Sequence, residues 1–335
     1  MEQAAGQDGY DVVVVGGGSA GLSGALALGR ARRRVLVVDA GDPRNAPAAG
    51  VHNYLTSEGM PPAELLAAGR AEVEGYGVEV RRGRAVSAAP LVAGPGRLAF
   101  AVDLADGTRF TARRLLVTTG LTDVLPDVPG VAERWGRDVV HCPYCHGHEV
   151  RDEPIGVLGT GPMAVHQALL FRQWSPDVVL FQHTAPALTD EQAEQLAARG
   201  VEVVAEAVAT LEVVDDRLAG VRLVSGAVVA RRVLAVSPGF VARSGVLDGL
   251  GVRTEDFRMG EHVLGTVLPS DPMGATSVPG VWVAGNVTAP MAQVVVAAGA
   301  GLQAAAALNG DLVLEDTALA VARRREEAGA YAGRP

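Results

Sequence analysis

The chain contains two cysteines, Cys142 and Cys145, which are separated by two residues. A disulfide at this spacing closes a very small ring, and such pairs are reactive because their surroundings stabilise one thiolate. Exchange with another thiol then proceeds by thiolate attack through a mixed disulfide. A secreted protein stapled by disulfides usually carries more cysteines at wider spacing. The pair therefore predicts thiol–disulfide chemistry.

Histidines surround the cysteine pair. His141, His146 and His148 are three of the seven histidines in the chain, and they lie within eight residues. An imidazole gains or loses a proton near neutral pH, so it can take the proton of an incoming thiol. His146 and His148 are the candidate residues for proton transfer. We interpret His141 as a capping or packing residue.

Two other interpretations of the motif compete with redox chemistry. A structural zinc site needs four ligands, usually with a second cysteine pair elsewhere, and this sequence has no second pair. A passive surface loop is a poor explanation for two cysteines at thiol-exchange spacing. We therefore expect a redox-active pair and no metal site.

Composition narrows the class of protein. With 335 residues, of which 48% are hydrophobic, the chain is long enough for about two folded domains. All 29 basic residues are arginine, which excludes Schiff-base catalysis by lysine and a P-loop lysine. The net charge of −9 argues against a nucleic-acid partner or an anionic membrane surface. No signal peptide and no long apolar run are found, so we expect a cytoplasmic enzyme without a membrane partner.

The chain begins with a nucleotide-binding pattern. The apolar run at 11–15 predicts a buried parallel strand, followed by a helix at about 20–31 and a second strand at 34–39. This strand–turn–helix–strand order, with a glycine-rich first turn, predicts a dinucleotide site.

Each residue of this turn has a physical task. Gly16 permits the tight turn, Gly18 lets a pyrophosphate approach the backbone, and Gly21 lets the helix pack against the strand. The helix N-terminus, which faces the phosphates, begins with Ser19 and Ala20. The second strand ends in an acid that can accept hydrogen bonds from ribose hydroxyls. That acid and the residue after it are Asp39 and Ala40.

Later segments carry a family resemblance. An apolar strand at 115–120, a Gly-Val-Trp-Val-Ala-Gly-Asn segment at 280–286 and a helical stretch at 292–309 complete the pattern. From about residue 10 to 310 the sequence resembles the two-dinucleotide flavoproteins, and within them the low-molecular-weight thioredoxin reductases. The resemblance implies an α/β fold with two Rossmann-like domains, and FAD in the first site. Asn286 stands where that family usually has aspartate.

The resemblance also implies the residues that contact FAD and the domain boundaries. The FAD domain would comprise 9–121 and 247–325. An NADPH-type domain with the redox motif would span 122–246 and begin with a crossing loop at 123–130. Residues 1–8 and 326–335 would be flexible tails, and the enzyme a homodimer. Besides the glycine turn, the implied FAD contacts are Arg44, Asn45, His52, Asn53, Thr119, Gly120, Gly285, Asn286 and Gln293.

The second dinucleotide pattern departs from that of a reductase. Strands are predicted at 155–158 and 178–181, joined by a Gly-x-Gly turn and a helix. A reductase that uses NADPH has basic residues after the second strand to pair with the 2′-phosphate, but 182–184 read Gln-His-Thr. Pro162 also removes one N–H from the phosphate-facing turn. The use of NADPH is therefore doubtful.

The cysteine motif also departs from the pattern of thioredoxin reductases. Thioredoxin reductases typically have Ala-Thr between the cysteines and aspartate after them, where this chain has Pro143, Tyr144 and His146. The pattern resembles the dithiol oxidases that close disulfides in natural products such as gliotoxin, holomycin and romidepsin. That resemblance implies oxidation of a small-molecule dithiol, with Cys142 as the exchange partner and Cys145 facing FAD, and with O2 reduced to hydrogen peroxide. It also implies that His146 or His148 helps to deprotonate the substrate thiols. The alternatives are an NADPH-dependent reductase of thioredoxin or a related protein, and a redox-inactive flavoprotein used for binding or regulation.

Overall fold

The first third of the chain alternates strands and helices as its apolar runs predict. The structure, a computed structural model, describes residues 9–94 and 96–332. The central valines of the first strand are fully buried, because both faces of a parallel strand are covered. The elements are β1 (Tyr10–Val15), α1 (Ser19–Arg30), β2 (Val35–Asp39), α2 (Pro62–Glu74), β3 (Glu79–Arg82), β4 (Ala85–Pro90), β5 (Phe100–Leu104) and β6 (Arg109–Val117).

The middle third carries the cysteine motif and the second strand–helix unit. Two predicted strands, at 155–158 and 178–181, are found with those bounds. The elements are β7 (Leu121–Val124), α3 (Val131–Arg134), β8 (Val139–Val140), α4 (Pro143–His146), β9 (Ile155–Leu158), α5 (Ala164–Phe171), β10 (Val178–Phe181), α6 (Asp190–Ala198), β11 (Glu202–Val204), β12 (Val208–Val214), β13 (Arg217–Leu223), β14 (Val228–Ala230), β15 (Val233–Ala235) and β16 (Gly239–Ala242).

The last third returns to the first sheet and ends in a long helix. Short 3₁₀ turns at Gly245–Leu250 and Gly285–Val287 connect its strands. The elements are β17 (Glu255–Met259), β18 (His262–Val267), β19 (Val281–Val283) and α7 (Val294–Ala332).

Two sheets organise the fold. The first has the order β3-β2-β1-β6-β5-β4, with β19 parallel to β6, so the last third of the chain completes the sheet that the first third began. The second has five parallel strands in the order β11-β10-β9-β15-β8. The predicted α/β fold with two Rossmann-like units is confirmed.

The two passages between these sheets pair with each other. β7 leaves the first unit and β16 returns to it, and they run antiparallel from Leu121 against Ala242 to Val124 against Gly239. The sequence predicts a crossing loop from residue 123, but the start of that stretch is a strand because the returning segment supplies its hydrogen-bonding partner.

The C-terminal helix is longer than predicted. The helical pattern ends near residue 309 and a flexible tail is expected from 326, whereas α7 continues to Ala332. Arginines of the first unit form ion pairs with acidic residues in the middle of α7: Arg33 pairs with Asp316, and Arg113 and Arg114 both pair with Glu315. Because these partners lie far from α7 in the sequence, the local helical pattern does not predict that the helix continues beyond residue 309. The expected tails at 1–8 and 333–335 lie outside the described residues.

Candidate active site

A cavity of about 890 Å³ extends from the glycine turn after β1 to the cysteine pair. This volume is in the range of cofactor and substrate sites. Most residues of the first dinucleotide pattern and both cysteines belong to its wall, although more than 100 residues separate them in the chain. The fold therefore places the predicted redox motif against the predicted cofactor site.

The glycine turn is built as its pattern predicts. Gly16 has a φ of +108°, and a Cβ there would lie 2.5 Å from the Thr118 carbonyl oxygen, so only glycine fits. A Cβ on Gly21 would collide with the Gly16 carbonyl. Asp39 accepts a hydrogen bond of 3.1 Å from the Gly17 amide through Oδ1, and its other oxygen can serve a ribose hydroxyl. These features fit the dinucleotide part of FAD.

Most of the predicted cofactor residues form one wall. Gly21 is not part of it, because its task is the packing of α1 on β1. The start of α7 adds its first turn to the same cavity, with Gln293 half-buried just before it. The predicted cofactor residues in the wall are Gly16, Gly18, Ser19, Ala20, Asp39, Ala40, Arg44, Asn45, His52, Thr119, Gly120, Gly285, Asn286 and Gln293.

Asn286 is held by its own amide group. Its Nδ2 donates to the carbonyl oxygens of Ala289, Pro290 and Ala292 at 3.0, 3.3 and 2.9 Å. A carboxylate has no hydrogen to donate, so the aspartate usual in reductases would face three carbonyl oxygens. The asparagine shapes the loop that leads into α7.

Arg44 joins three parts of the site. Its guanidinium forms a two-pronged ion pair with Asp123 at 2.6 and 2.8 Å and donates to the Pro290 carbonyl at 2.9 Å. It also lies 5.4 Å above the ring of Phe240 on β16. Arg44 is thus in the cavity wall while its hydrogen bonds hold the crossing strands to the loop before α7.

Asn53 lies elsewhere than predicted. It is outside the cavity wall, and its Nδ2 donates 2.6 Å to the Tyr144 carbonyl, between the two cysteines. Its φ is +59°, a conformation that asparagine tolerates better than most residues. Glu58 fixes this loop by accepting from the Asn53 amide at 2.8 Å and by pairing with His52 at 2.7 Å. The loop therefore positions the redox motif.

The cysteine pair is asymmetric. Cys142 precedes α4 and Cys145 lies within it, and both are half-buried free thiols in the cavity wall. A hydrogen bond from the Cys145 thiol, with help from the amides of Cys145 and Tyr144, lowers the pKa of Cys142 to about 7, while burial opposes the shift. The same hydrogen bond and burial raise the pKa of Cys145. Cys142 is therefore the thiolate of the reduced pair.

The two predicted bases have different environments. His146 is half-buried in the cavity wall, and burial lowers its pKa, so it is neutral at neutral pH. Its Nδ1 is buried without a hydrogen-bond partner among the described residues. His148 is exposed and outside the wall, and the preceding Gly147 lies against Trp174. Of the two, the geometry favours His146.

His141, which the sequence suggested as a capping or packing residue, packs edge to face against Phe240. It also forms part of the same wall as the cysteines, and its Nδ1 lies 3.0 Å from the Val236 carbonyl oxygen. Its position next to Cys142 was the one signal in the sequence. Trp135, Gly136 and Arg243 also belong to the wall and had no such signal.

The segment after β10 is bonded to the start of the second dinucleotide turn. The Gly159 carbonyl accepts hydrogen bonds of 3.0 Å from the amides of both Thr184 and Ala185, while the rest of the turn, 160–163, is half-exposed. A Cβ on Gly159 would lie 2.8 Å from the Gln182 carbonyl oxygen. The first cavity does not extend to this turn.

Neither a metal-binding cluster nor a membrane-spanning helix is found among the described residues. Within 9–94 and 96–332, no three His, Cys, Asp or Glu side chains come together as a group that could hold a metal ion. No helix in that part of the chain combines the length and apolar character that a membrane span requires.

Comparisons with known proteins identify the family. The family described as pyridine nucleotide-disulphide oxidoreductase matches residues 10–301. Thioredoxin reductase tcpT of Claviceps purpurea (strain 20.1) is 32% identical over 292 residues, which cover 82% of this chain and 86% of that protein. Thioredoxin reductase sirT of Leptosphaeria maculans is 30% identical over 314 residues, covering 90% and 93%. The chain belongs to the pyridine nucleotide-disulphide oxidoreductase family.

Solved structures agree with this assignment. HlmI has a TM-score of 0.88 at 50% identity, covering 96% of this chain and 98% of that one. An oxidoreductase from Agrobacterium tumefaciens has a TM-score of 0.84 at 35% identity, covering 92% and 99%. The resemblance to thioredoxin-reductase-like enzymes is confirmed. The chain is a thioredoxin-reductase-like flavoprotein oxidoreductase that acts on disulfides.

Proposed function

We propose that this enzyme oxidises a small-molecule dithiol to an intramolecular disulfide, and that O2 is the final electron acceptor and becomes hydrogen peroxide. The observation that carries the proposal is the position of His146 in one cavity wall with the cysteine pair, where burial lowers the pKa of its imidazole and favours the neutral form. Oxidation of thiols requires a group that accepts their protons, and a neutral imidazole does so at neutral pH. A reductase needs an acid at this place, which would protonate a departing thiolate.

The cysteines carry out the exchange. A substrate thiol loses its proton to His146, and the resulting thiolate attacks Sγ of Cys142, so the Cys142–Cys145 bond breaks and Cys145 departs. The second substrate thiolate then attacks the substrate sulfur bound to Cys142, which closes the product disulfide. The pKa of about 7 makes Cys142 a good leaving group in this second step. Two electrons now reside on the reduced cysteines.

FAD would be held by the glycine turn, by Asp39 and by the wall before α7, including Gln293. When bound, it supplies two-electron oxidation of the cysteine dithiol and reaction with O2. Cys145 would be the cysteine that passes the electrons on, because the lowered pKa of Cys142 and the raised pKa of Cys145 keep the exchange chemistry on Cys142. NADPH has no part in this cycle, and the lack of a basic residue at 182–184 supports its omission.

The proposal includes the setting of the enzyme. Its partners are a small dithiol and O2, and it works as a cytoplasmic homodimer without nucleic-acid or membrane partners. The net charge of −9 supports the absence of the last two. The homodimer rests on the family resemblance.

A second candidate is an NADPH-dependent reductase of thioredoxin or a related protein. The names of the relatives favour it, since both tcpT and sirT are called thioredoxin reductases. A redox-inactive flavoprotein is a third candidate, against which the retained cysteine pair counts.

Flavin absorption separates the three. The purified flavoprotein is mixed anaerobically with NADPH, and separately with dithiothreitol. Bleaching by dithiothreitol alone, with stoichiometric peroxide when air is admitted, is the expected result. Fast bleaching by NADPH would establish the reductase, and no response to either would favour the binding protein. Cys142→Ser and Cys145→Ser variants are the controls, because bleaching that passes through the pair must disappear in both.

A further inference from the structure

The imidazole of His141 lies in the wall of the active-site cavity and has no part in the steps above. Its Nδ1 is 3.0 Å from the carbonyl oxygen of Val236. A carbonyl can only accept, so Nδ1 carries the hydrogen of this contact. In the neutral ring the lone pair then lies on Nε2, which is the form of histidine that accepts a proton.

The ring is held from a second side. Phe240 on β16 meets it edge to face, with 5.7 Å between the ring centroids. Aromatic pairs in this arrangement have a defined orientation. The carbonyl and the aromatic ring therefore fix both the tilt and the tautomer of His141.

A buried glutamine sets the carbonyl that fixes the ring. Gln167 on α5 is 7% exposed, and its Nε2 donates to the carbonyls of Val236 and His141 at 3.2 and 3.0 Å. Its Oε1 accepts 3.1 Å from the Ser237 hydroxyl. Burial of an amide is costly unless it is hydrogen-bonded, and here both ends are. The network joins α5, the segment after β15 and the residue before Cys142.

Burial of His141 favours its neutral form. Burial lowers its pKa, and the Arg44 cation adds to the shift. The Val236 contact and the Asp123 carboxylate act in the opposite direction, and His146 is the remaining titratable neighbour. The ring is thus unprotonated when substrate arrives at neutral pH.

The proposed reaction releases two thiol protons in each turnover, and one imidazole takes the first. We propose that His141 is the second proton acceptor of the site and that Gln167 is the positioning residue that orients it. This inference rests on the proposed function.

The second half of the exchange begins with a proton transfer. The remaining S–H of the mixed disulfide gives its proton to Nε2 of His141. The thiolate so formed attacks the neighbouring substrate sulfur, the bond from that sulfur to Cys142 breaks, and Cys142 leaves as a thiolate. The substrate has lost two electrons to the cysteine pair, from which they pass through FAD to O2.

The test uses His141→Asn in the flavin-loaded enzyme. Asparagine can still donate to the Val236 carbonyl but has no basic nitrogen. Anaerobic flavin bleaching is followed by stopped flow from pH 6 to 9 with dithiothreitol and with dithiobutylamine, whose thiols ionise at lower pH. We expect a loss of about 100-fold at neutral pH, as is typical for a general base. The loss should shrink with rising pH and be smaller for dithiobutylamine.

Gln167→Met tests the positioning role, since methionine keeps the length of the side chain and loses its donors. We expect a smaller loss of about 10-fold with the same dependence on pH and dithiol, because a misplaced base is still a base. His262→Asn, an exposed histidine on β18, is the matched control and should behave as wild type.

The outcomes distinguish a failure of the inference about His141 from a failure of the proposed function. If the wild type is bleached by dithiols and His141→Asn matches it within twofold, or loses the same factor at every pH and with both dithiols, the inference is wrong while the proposed function stands. If no dithiol bleaches the wild type, both are wrong.

Discussion

The side-chain nitrogen of Asn53 lies 2.6 Å from the carbonyl oxygen of Tyr144, so a loop of the first domain holds the segment between the two cysteines. Glu58 in turn fixes that loop through the Asn53 amide at 2.8 Å. The position of the cysteines relative to the cofactor site therefore depends on Asn53, which lies outside the cavity wall.

Replacement of Asn53 tests this support. Asn53→Gly keeps the φ of +59° unstrained and removes the side-chain donor. We expect flavin reduction by dithiothreitol to slow by about 5-fold, which corresponds to one lost hydrogen bond of about 1 kcal/mol. Stopped-flow bleaching under anaerobic conditions measures this rate. An unchanged rate would show that the contact has no part in placing the motif.

The asymmetry of the cysteines predicts selective alkylation. The lowered pKa of Cys142 means that its thiolate fraction in the reduced enzyme rises through about pH 7, below the ordinary value of 9.0. Iodoacetamide should label Cys142 with half-maximal rate near pH 7 and leave Cys145 unlabelled, as read by mass spectrometry. In Cys145→Ala the midpoint should rise, because the thiol that donates to Cys142 is removed. A wild-type midpoint near 9.0 would contradict the hydrogen bond.

His146 sets the acid limb of the pH profile. Burial favours its neutral form, so the base stays available below the ordinary pKa of 6.5, and kcat/KM should fall only at lower pH. His146→Ala should lose about 100-fold at neutral pH and the acid limb with it. His148→Ala should retain both, because that side chain is exposed outside the cavity wall. Loss of the limb in His148→Ala would transfer the assignment to that residue.

Asn286→Asp tests the departure from the reductase pattern. The carboxylate would lose the two N–H donors that Asn286 shares among three carbonyl oxygens and would face those oxygens. We expect a destabilisation of about 2–3 kcal/mol and a Tm lower by roughly 5–10 °C. Differential scanning fluorimetry and the ratio of flavin to protein absorbance measure both effects.

Asn309→Asp is the matched control for this change. The Asn309 oxygen accepts 2.7 Å from Arg33, so a carboxylate there keeps its partner and should not lower the Tm. Equal losses in the two variants would show that the three carbonyls do not discriminate amide from acid.

Local patterns predicted the parts of the fold that local chemistry determines. The glycine turn, β9 and β10 follow from runs of adjacent residues, and the cysteine pair is a motif of four. The roles of His141, Asn53 and Arg44 depend on partners far away in the chain, at Val236, Tyr144 and Asp123. No local pattern marks such partners, because folding alone brings them together.

The absence of a basic residue at 182–184, where a reductase pairs with the 2′-phosphate of NADPH, has a consequence for metabolism on the proposed function. An enzyme that takes no electrons from the nicotinamide pool does not use the cell's supply of reducing equivalents to reverse its product. On the proposed function, the yield of disulfide then follows the oxygen supply, and each turnover commits the cell to dispose of one molecule of peroxide.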